Sequence, residues 1–117
     1  MTPSWLGYKS LFQLLKMEYL FFEKTKVDRI VQICRNNKIE ALLIDNPSNP
    51  SSTVYSLEII NKLSTQLSKI GCLLIIDEVY KKLTFDNKYL TDNLIDKNII
   101  RVGSLSKAYG APGLRIG

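Results

Sequence analysis

The sequence predicts an α/β fold in which a mostly parallel sheet is joined by helical crossovers. Two observations lead to this class. Short apolar runs of strand length alternate with longer segments of helical periodicity. The runs "IEALLID", "CLLIIDEVY" and "IIRVGSLS" are almost continuously apolar, as in strands that are covered on both faces. Parallel strands need long crossovers, which the helical segments supply, and 117 residues form at most one domain.

The helical segments have apolar residues three and four positions apart. This pattern predicts helices in "YKSLFQLLK", "VDRIVQICRNN" and "SLEIINKLSTQLSKIG". Ser56 is expected to cap the start of the third helix and Gly71 its end. The aromatic stretch "MEYLFFE" predicts an additional strand, so four strands are expected. "NPSNPSS" predicts a turn, and "DNKYLTDNLIDKN" predicts a loop.

The composition argues against several classes of function. The chain has no histidine, which excludes Ser-His-Asp and Cys-His catalysis and most zinc sites. The formal net charge of +5 comes from scattered lysines, which indicate a solvated surface better than nucleic-acid binding. No apolar run has the length of a membrane span, and the N-terminus lacks a secretory signal. Cys34 and Cys72 are expected to be buried small hydrophobes in a reducing compartment, which indicates a cytoplasmic protein.

Polar side chains follow the apolar strands at the points where those strands end. They are Asn49 after the first run, Asp77 and Tyr80 after the next, and Ser104, Ser106 and Lys107 after the last. The carboxyl ends of parallel strands meet at one edge of a sheet, so these groups are expected to converge there.

These groups have the chemistry that pyridoxal phosphate requires. An amine of lowered pKa can attack a carbonyl group, and an acid that faces a pyridine nitrogen keeps the nitrogen protonated. An amide and a phenol can hydrogen-bond a ring oxygen, whereas hydroxyl groups and the guanidinium of Arg115 suit a phosphate. The combination matches pyridoxal phosphate and little else.

Three motifs resemble those of a known family. "NPSNP", "IIDEVY" and "SLSKAYGAPGLRIG" resemble, in this order, the signatures of the class I/II aminotransferases, pyridoxal-phosphate enzymes of fold type I. In the last motif Lys107, Arg115 and the closing "RIG" stand where the family has them. "PSWLGYKSLFQLL" resembles, more weakly, the family segment whose aromatic residue stacks on the cofactor ring. The resemblance covers essentially the whole chain.

The resemblance implies a role for four residues around the reacting part of the cofactor. Lys107 would hold the cofactor covalently and, once released, move a proton between the substrate and the cofactor. Asp77 would pair with the pyridine nitrogen. Tyr80 and Asn49 would hydrogen-bond the ring oxygen.

The resemblance also implies roles for the remaining candidates. Ser104 and Arg115 would bind the phosphate, with Ser106 assisting, and Trp5 would stack on the ring. No metal is implied. The implied substrates are an amino acid and a 2-oxo acid, and the implied assembly of an intact form is a homodimer, with no nucleic-acid or membrane partner.

The chain departs from the family in two respects. Where the family commonly reads "NPTG", Ser52 replaces the glycine, and a small effect on the turn is expected. Family members are also considerably longer, with a small domain, an arginine for the substrate carboxylate and a glycine-rich helix start that holds the phosphate. Residues 1–117 are therefore expected to be part of the large, cofactor-binding domain, with the N- and C-terminal parts missing and no activity alone.

Each candidate has an ordinary explanation when it is taken alone. Asp77 would belong to a solvated turn, Trp5 to a core or an interface, and Lys107 to the surface. Their joint occurrence in order favours the cofactor. Two alternatives stay open. One is a truncated or decayed remnant without catalysis, whose exposed sheet edge would need a partner. The other is a different pyridoxal-phosphate reaction on the same fold, such as decarboxylation or carbon–sulfur lysis.

Overall fold

The computed structural model describes residues 1–85 and 96–117, which include a three-stranded parallel sheet. The strands are β1 (Ala41–Asp45), β2 (Leu73–Asp77) and β3 (Ile99–Val102), in the order β1-β2-β3. Each strand pairs in parallel with its neighbour, and Asp45 is the register partner of Asp77. The predicted α/β class is confirmed.

The three predicted helices are present. They are α1 (Gly7–Leu14), α2 (Val27–Asn36) and α3 (Leu57–Ser68). Ser56 caps α3 as predicted, because its side chain accepts the backbone N–H of Ile59 at 3.3 Å. Gly71 follows the end of α3 with a φ of +69°, a conformation that glycine adopts without a steric penalty. No helix of residues 1–85 and 96–117 has the length and apolar character needed to cross a membrane.

Helices α2 and α3 cover one face of the sheet. Alternate side chains of β1 and β2 pack with buried residues of the two helices, among them Leu42, Ile44, Leu74, Ile76, Ile30 and Leu63. Because successive side chains of a strand point to opposite faces, Asp45 and Asp77 project from the other face. That face is partly open in the described residues, and Leu73 is 40% exposed there. The expectation that both faces are covered is wrong for this part of the chain.

The predicted strand in "MEYLFFE" is wrong. Residues 17–23 form no strand of the sheet, and Glu23 makes an isolated bridge with Thr2. The aromatic rings pack against α1 instead, since the ring of Phe12 lies 5.7 Å from that of Tyr19 and 6.4 Å from that of Phe21. The aromatic residues that suggested a strand are used in ring packing, so three strands rather than four lie in the described ranges.

The predicted last strand, "IIRVGSLS", is shorter than expected. It ends at Val102, and Leu105–Ala108 forms a short helix, α4. Ser104 caps this helix because its hydroxyl oxygen accepts the N–H of Ser106 at 3.1 Å, which competes with strand formation. Most of the predicted loop "DNKYLTDNLIDKN" lies outside the described residues.

Candidate active site

A pocket of about 360 Å³ lies beside the carboxyl ends of β1 and β2. Its volume is within the range of about 300–1,000 Å³ that is usual for small-molecule and cofactor sites. All eight residues predicted from the sequence line it: Trp5, Asn49, Asp77, Tyr80, Ser104, Ser106, Lys107 and Arg115. The structure therefore brings the three motifs and the N-terminal segment together. The roles of these residues stay predictions.

Asp77 is held in one orientation by two donors. Its Oδ2 accepts the hydroxyl of Tyr8 at 2.6 Å, and its Oδ1 accepts the backbone N–H of Val79 at 3.1 Å. Asp77 is the last residue of β2, which fixes its backbone within the sheet. A carboxylate oxygen can accept more than one hydrogen bond, so Asp77 can still accept a donor from the pocket.

Tyr8 is a site residue that sequence reasoning missed. It lies in the first turn of α1, is buried and also lines the pocket. Burial, followed by the hydrogen bond to Asp77, raises the pKa of Tyr8 far above its ordinary value, so its hydroxyl stays protonated and donates. The available signal was its spacing: Tyr8 and Phe12 stand four positions apart on one face of the helix, and their rings stack at 6.3 Å.

Asn49 and Tyr80 meet at one side of the pocket. The side-chain amide of Asn49 donates to the hydroxyl oxygen of Tyr80 at 3.5 Å, and both residues are half-buried. The backbone N–H of Asn49 donates to Oδ2 of Asp45 at 2.9 Å, which fixes the turn that carries the amide. Two polar groups from different loops thus point to a common region of the pocket.

The segment that contains Lys107 folds back on itself. The backbone N–H of Leu105 donates to the carbonyl of Ile116 at 3.1 Å, which brings Arg115 to the same pocket as Lys107. The guanidinium of Arg115 donates to the carbonyl of Pro112 at 2.8 Å. Lys107 and Arg115 are both exposed, so both cations are accessible from the pocket.

Trp5 lies at the rim of the pocket and is 51% exposed. Its indole lies over the backbone of Gly7, where a Cβ would be only 2.3 Å from a ring atom. The ring also contacts Tyr8 edge to face, at a centroid distance of 5.4 Å. Glycine at position 7 is therefore required for this placement of the indole.

A larger cavity of about 650 Å³ adjoins the pocket beyond Asn49 and Tyr80. Its lining extends to Phe85, the last described residue before residues 86–95. We take the smaller pocket as the candidate site because the acid, the amine, the amide and the phenol all line it.

Comparison with known proteins identifies the family. The sequence profile described as "Aminotransferase class I and II" matches residues 1–117. The chain belongs to this family. This aminotransferase-family chain is 30% identical to nicotianamine aminotransferase A of Hordeum vulgare. The alignment is 125 positions long and covers 98% of the chain and 27% of the relative. The chain thus spans about a quarter of the length of that relative. The recognition made from the three motifs is confirmed.

Solved structures show the same fold. A double mutant of the aspartate aminotransferase of Thermus thermophilus has a TM-score of 0.86 at 21% identity, with 99% of this chain and 32% of that chain covered. The L-threonine-O-3-phosphate decarboxylase of Porphyromonas gingivalis has a TM-score of 0.80 at 24% identity, with 99% and 34% covered. At these identities the likeness establishes the fold alone.

The residues of the pocket fit pyridoxal phosphate, the cofactor of this aminotransferase family. An oriented carboxylate, Asp77, suits a protonated ring nitrogen, and the primary amine of Lys107 suits an aldehyde. The amide–phenol pair of Asn49 and Tyr80 suits a ring oxygen. Arg115 supplies a cation for a phosphate.

Proposed function

We propose that the protein containing this chain transfers an amino group between an amino acid and a 2-oxo acid, with pyridoxal phosphate held in the 360 Å³ pocket. The observation that carries the proposal is the placement of Lys107 in the same pocket as Asp77, whose carboxylate is fixed by Tyr8 at 2.6 Å. When bound, the cofactor supplies an electron-accepting ring. The chain supplies the groups that attach the cofactor, orient it and move protons.

Asp77 holds the ring nitrogen in its protonated form. The negative carboxylate favours a positive partner, and the two donors from Tyr8 and Val79 keep its oxygens in place. Because Tyr8 keeps its proton, its hydroxyl adds no negative charge beside Asp77. The pocket is therefore arranged to keep one proton on the cofactor ring.

Lys107 would hold the cofactor and, once released, would act on the substrate through its Nζ. As a free amine, this group would take up a proton from a carbon atom of the substrate and hold it within the pocket. The exposure of Lys107 leaves room for a substrate to approach the amine. In this proposal Lys107 is the catalytic residue.

Ser104, Ser106 and Arg115 bind the phosphate. The hydroxyl oxygen of Ser104 accepts the N–H of Ser106 and keeps its own O–H as a donor. Arg115 uses one nitrogen for the carbonyl of Pro112 and retains further N–H donors for an anion. Trp5 would stack on the ring from the rim, and Asn49 and Tyr80 would hydrogen-bond the ring oxygen.

Residues 1–117 form part of the large domain of a cytoplasmic homodimer and are inactive alone. The share of the relatives that the chain covers supports a partial domain. The exposed apolar side chains at the two ends of α1 support a contact with further protein, since Leu6, directly before the helix, is 90% exposed and Leu14, its last residue, is 80% exposed. Light scattering on the full-length protein tests the dimer, and a monomeric mass would contradict it.

Borohydride reduction tests the function directly. The full-length protein is loaded with pyridoxal phosphate, reduced and digested, and the labelled peptide is expected to carry the cofactor on Lys107. The Lys107→Ala variant should lose the visible absorption band, whereas Lys69→Ala, at an exposed lysine beyond α3, should retain it. Label on another lysine would contradict the assignment, and the absence of any band would favour a remnant without catalysis.

A decarboxylase is a second candidate because the decarboxylase of Porphyromonas gingivalis has the same fold. The two reactions are separated by their products. A transaminase bleaches the band with an amino donor and releases a 2-oxo acid, whereas a decarboxylase releases carbon dioxide and an amine. Carbon dioxide without a 2-oxo acid would replace the proposed reaction by the second one.

A further inference from the structure

Asp45 is a second carboxylate in the candidate site, and unlike Asp77 it is buried. It ends β1, is the register partner of Asp77 and is 5% exposed. Both carboxylates line the pocket. Within residues 1–85 and 96–117, Oδ1 of Asp45 has no hydrogen-bond partner. A buried negative charge beside a second carboxylate is costly unless a cation compensates it.

Lys24 supplies that cation. Its ammonium group lies 3.5 Å from Oδ1 of Asp45, and its side chain is 14% exposed. The same group donates to the hydroxyl of Ser48 and lies 3.5 Å from that of Ser51. The backbone of Lys24 is fixed as well, because its N–H donates to the carbonyl of Thr2 at 2.9 Å. Lys24 thus joins the segment after α1 to the turn after β1.

Asp45 transmits this attachment to Asn49. Its Oδ2 accepts the backbone N–H of Asn49 at 2.9 Å, and the amide of Asn49 contacts the hydroxyl of Tyr80 at 3.5 Å. The contacts form a continuous series from Lys24 through Asp45 and Asn49 to Tyr80. If the cation were lost, the buried carboxylate of Asp45 would have no compensating charge and would move toward water, which would disturb its bond to Asn49.

We propose that Lys24 is a positioning residue of the cofactor site: through Asp45 it fixes the backbone of Asn49, and thereby the point at which the Asn49 amide meets the ring oxygen of the cofactor. This inference rests on the proposed function. It assigns to Lys24 an effect on the bound cofactor beyond the stability of the fold.

The test measures the pKa that governs the pH dependence of the visible absorption of the cofactor-loaded, full-length protein. When the cofactor is bound, a hydrogen-bond donor to the ring oxygen would draw negative charge away from the absorbing group and so lower this pKa. Misplacement of the Asn49 amide should therefore raise this pKa. We expect Lys24→Met to raise it by about one unit and Lys24→Arg, which keeps the charge, to restore most of the difference.

Two double variants without the buried charge keep the test valid if Lys24→Met fails to fold. Lys24→Met with Asp45→Asn retains an oxygen that can accept the N–H of Asn49, so its pKa should equal that of the unchanged protein. Lys24→Met with Asp45→Leu has no acceptor and should show the raised value. Lys62→Met is the matched control, since it breaks an exposed ion pair between Lys62 of α3 and Asp28 of α2 and should leave the pKa unchanged.

The possible failures are distinguishable. If the protein without substitutions shows no visible absorption band that depends on Lys107, the proposed function is overturned and the inference fails with it. If the band is present but the two double variants share one pKa, the position of Asn49 does not depend on Asp45, and the inference alone is overturned. The inference alone is also overturned if Lys24→Met lowers the melting temperature but leaves the pKa of the visible absorption unchanged.

Discussion

Tyr8 and Asp77 are joined by a 2.6 Å hydrogen bond although they stand 69 positions apart in the sequence. Tyr8 comes from the N-terminal helix and Asp77 from the end of the central strand. The bond therefore attaches α1 to the edge of the sheet at which the pocket opens. It also gives the carboxylate a neutral donor that keeps its proton into alkaline solution.

Tyr8→Phe should weaken both the fold and the cofactor site. The variant removes a hydrogen bond to a charged group, which stabilises a protein by about 1.5–3 kcal/mol. Asp77 then keeps the N–H of Val79 and loses its second constraint. We expect cofactor affinity to fall about tenfold, equivalent to about 1.4 kcal/mol, as measured by titration. Tyr19→Phe, at a tyrosine that is 40% exposed, is the control and should change neither property.

The same pair predicts a loss of stability at alkaline pH. In the unfolded protein the hydroxyl of Tyr8 ionises at about pH 10. In the folded protein the pKa of this hydroxyl is raised, so it keeps its proton. Above this pH the folded state holds one more proton, so the free energy of unfolding falls by up to about 1.4 kcal/mol per pH unit. The contribution is complete below pH 10 and is lost as the pH rises. Urea unfolding should show a smaller gap between the protein and Tyr8→Phe at pH 11 than at pH 9, and an equal gap would contradict the assignment.

Ser52→Gly should stabilise the turn that carries Asn49. Ser52 has a φ of +55°, in the left-handed region that costs a non-glycine residue about 1 kcal/mol. The sequence predicted a small effect at this position, and the positive φ shows its origin. We expect the free energy of unfolding to rise by about 1 kcal/mol. Ser51→Gly is the control: it lacks the positive φ and loses a 2.9 Å contact with Thr53, so it should destabilise the protein.

Gly7→Ala should displace the indole of Trp5. Alanine normally favours a helix by about 0.5–1 kcal/mol over glycine, but here its Cβ would lie 2.3 Å from the ring. The emission of Trp5, obtained by subtracting the spectrum of Trp5→Phe, should therefore shift, and cofactor affinity should fall. Gly113→Ala is the control because a Cβ there meets no atom within 4 Å. An unshifted emission spectrum in Gly7→Ala would show that the close approach does not constrain the ring.

Arg101→Met should destabilise the junction of β2 and β3. Arg101 donates to the carboxylate of Glu78 at 2.9 and 2.7 Å, and the Glu78 side chain is 5% exposed. The arginine side chain is 29% exposed, which reduces the expected loss to about 2 kcal/mol, and Lys81 at 3.9 Å compensates part of the charge. Chemical denaturation measures the change. Lys62→Met breaks an exposed pair and should change the stability much less, and equal losses would contradict the effect of burial.

The local patterns of the sequence predicted most elements of the fold. Apolar spacing indicated α1, α2 and α3, and the apolar runs indicated β1, β2 and β3. Ser56 was recognised as a cap because its role depends on residues only three positions away. The aromatic stretch at residues 17–23 was misread, since the same residues suit a strand and a cluster of rings.

Some residues of the candidate site could be predicted from the sequence and others could not. Residues of the motifs could be named because their types and order are visible in the chain, and they line one pocket. Tyr8, Lys24 and Asp45 could not be named, because each matters through a partner that is remote in sequence or belongs to another element. The spacing of Tyr8 and Phe12 indicates only a shared helix face, not a bond to Asp77, and a lysine in a polar segment has no local feature that distinguishes it.

The sequence by itself determined the family, the succession of helices and strands, and the chemical groups available to a cofactor. Tertiary structure alone decided which of these groups meet, which carboxylate is held by a tyrosine and which by a lysine, and which aromatic residues stay out of the sheet. The physical reason is the distance along the chain over which each interaction acts. Periodicity and capping act between residues a few positions apart, whereas hydrogen bonds and ion pairs between elements form only after packing has excluded water around them.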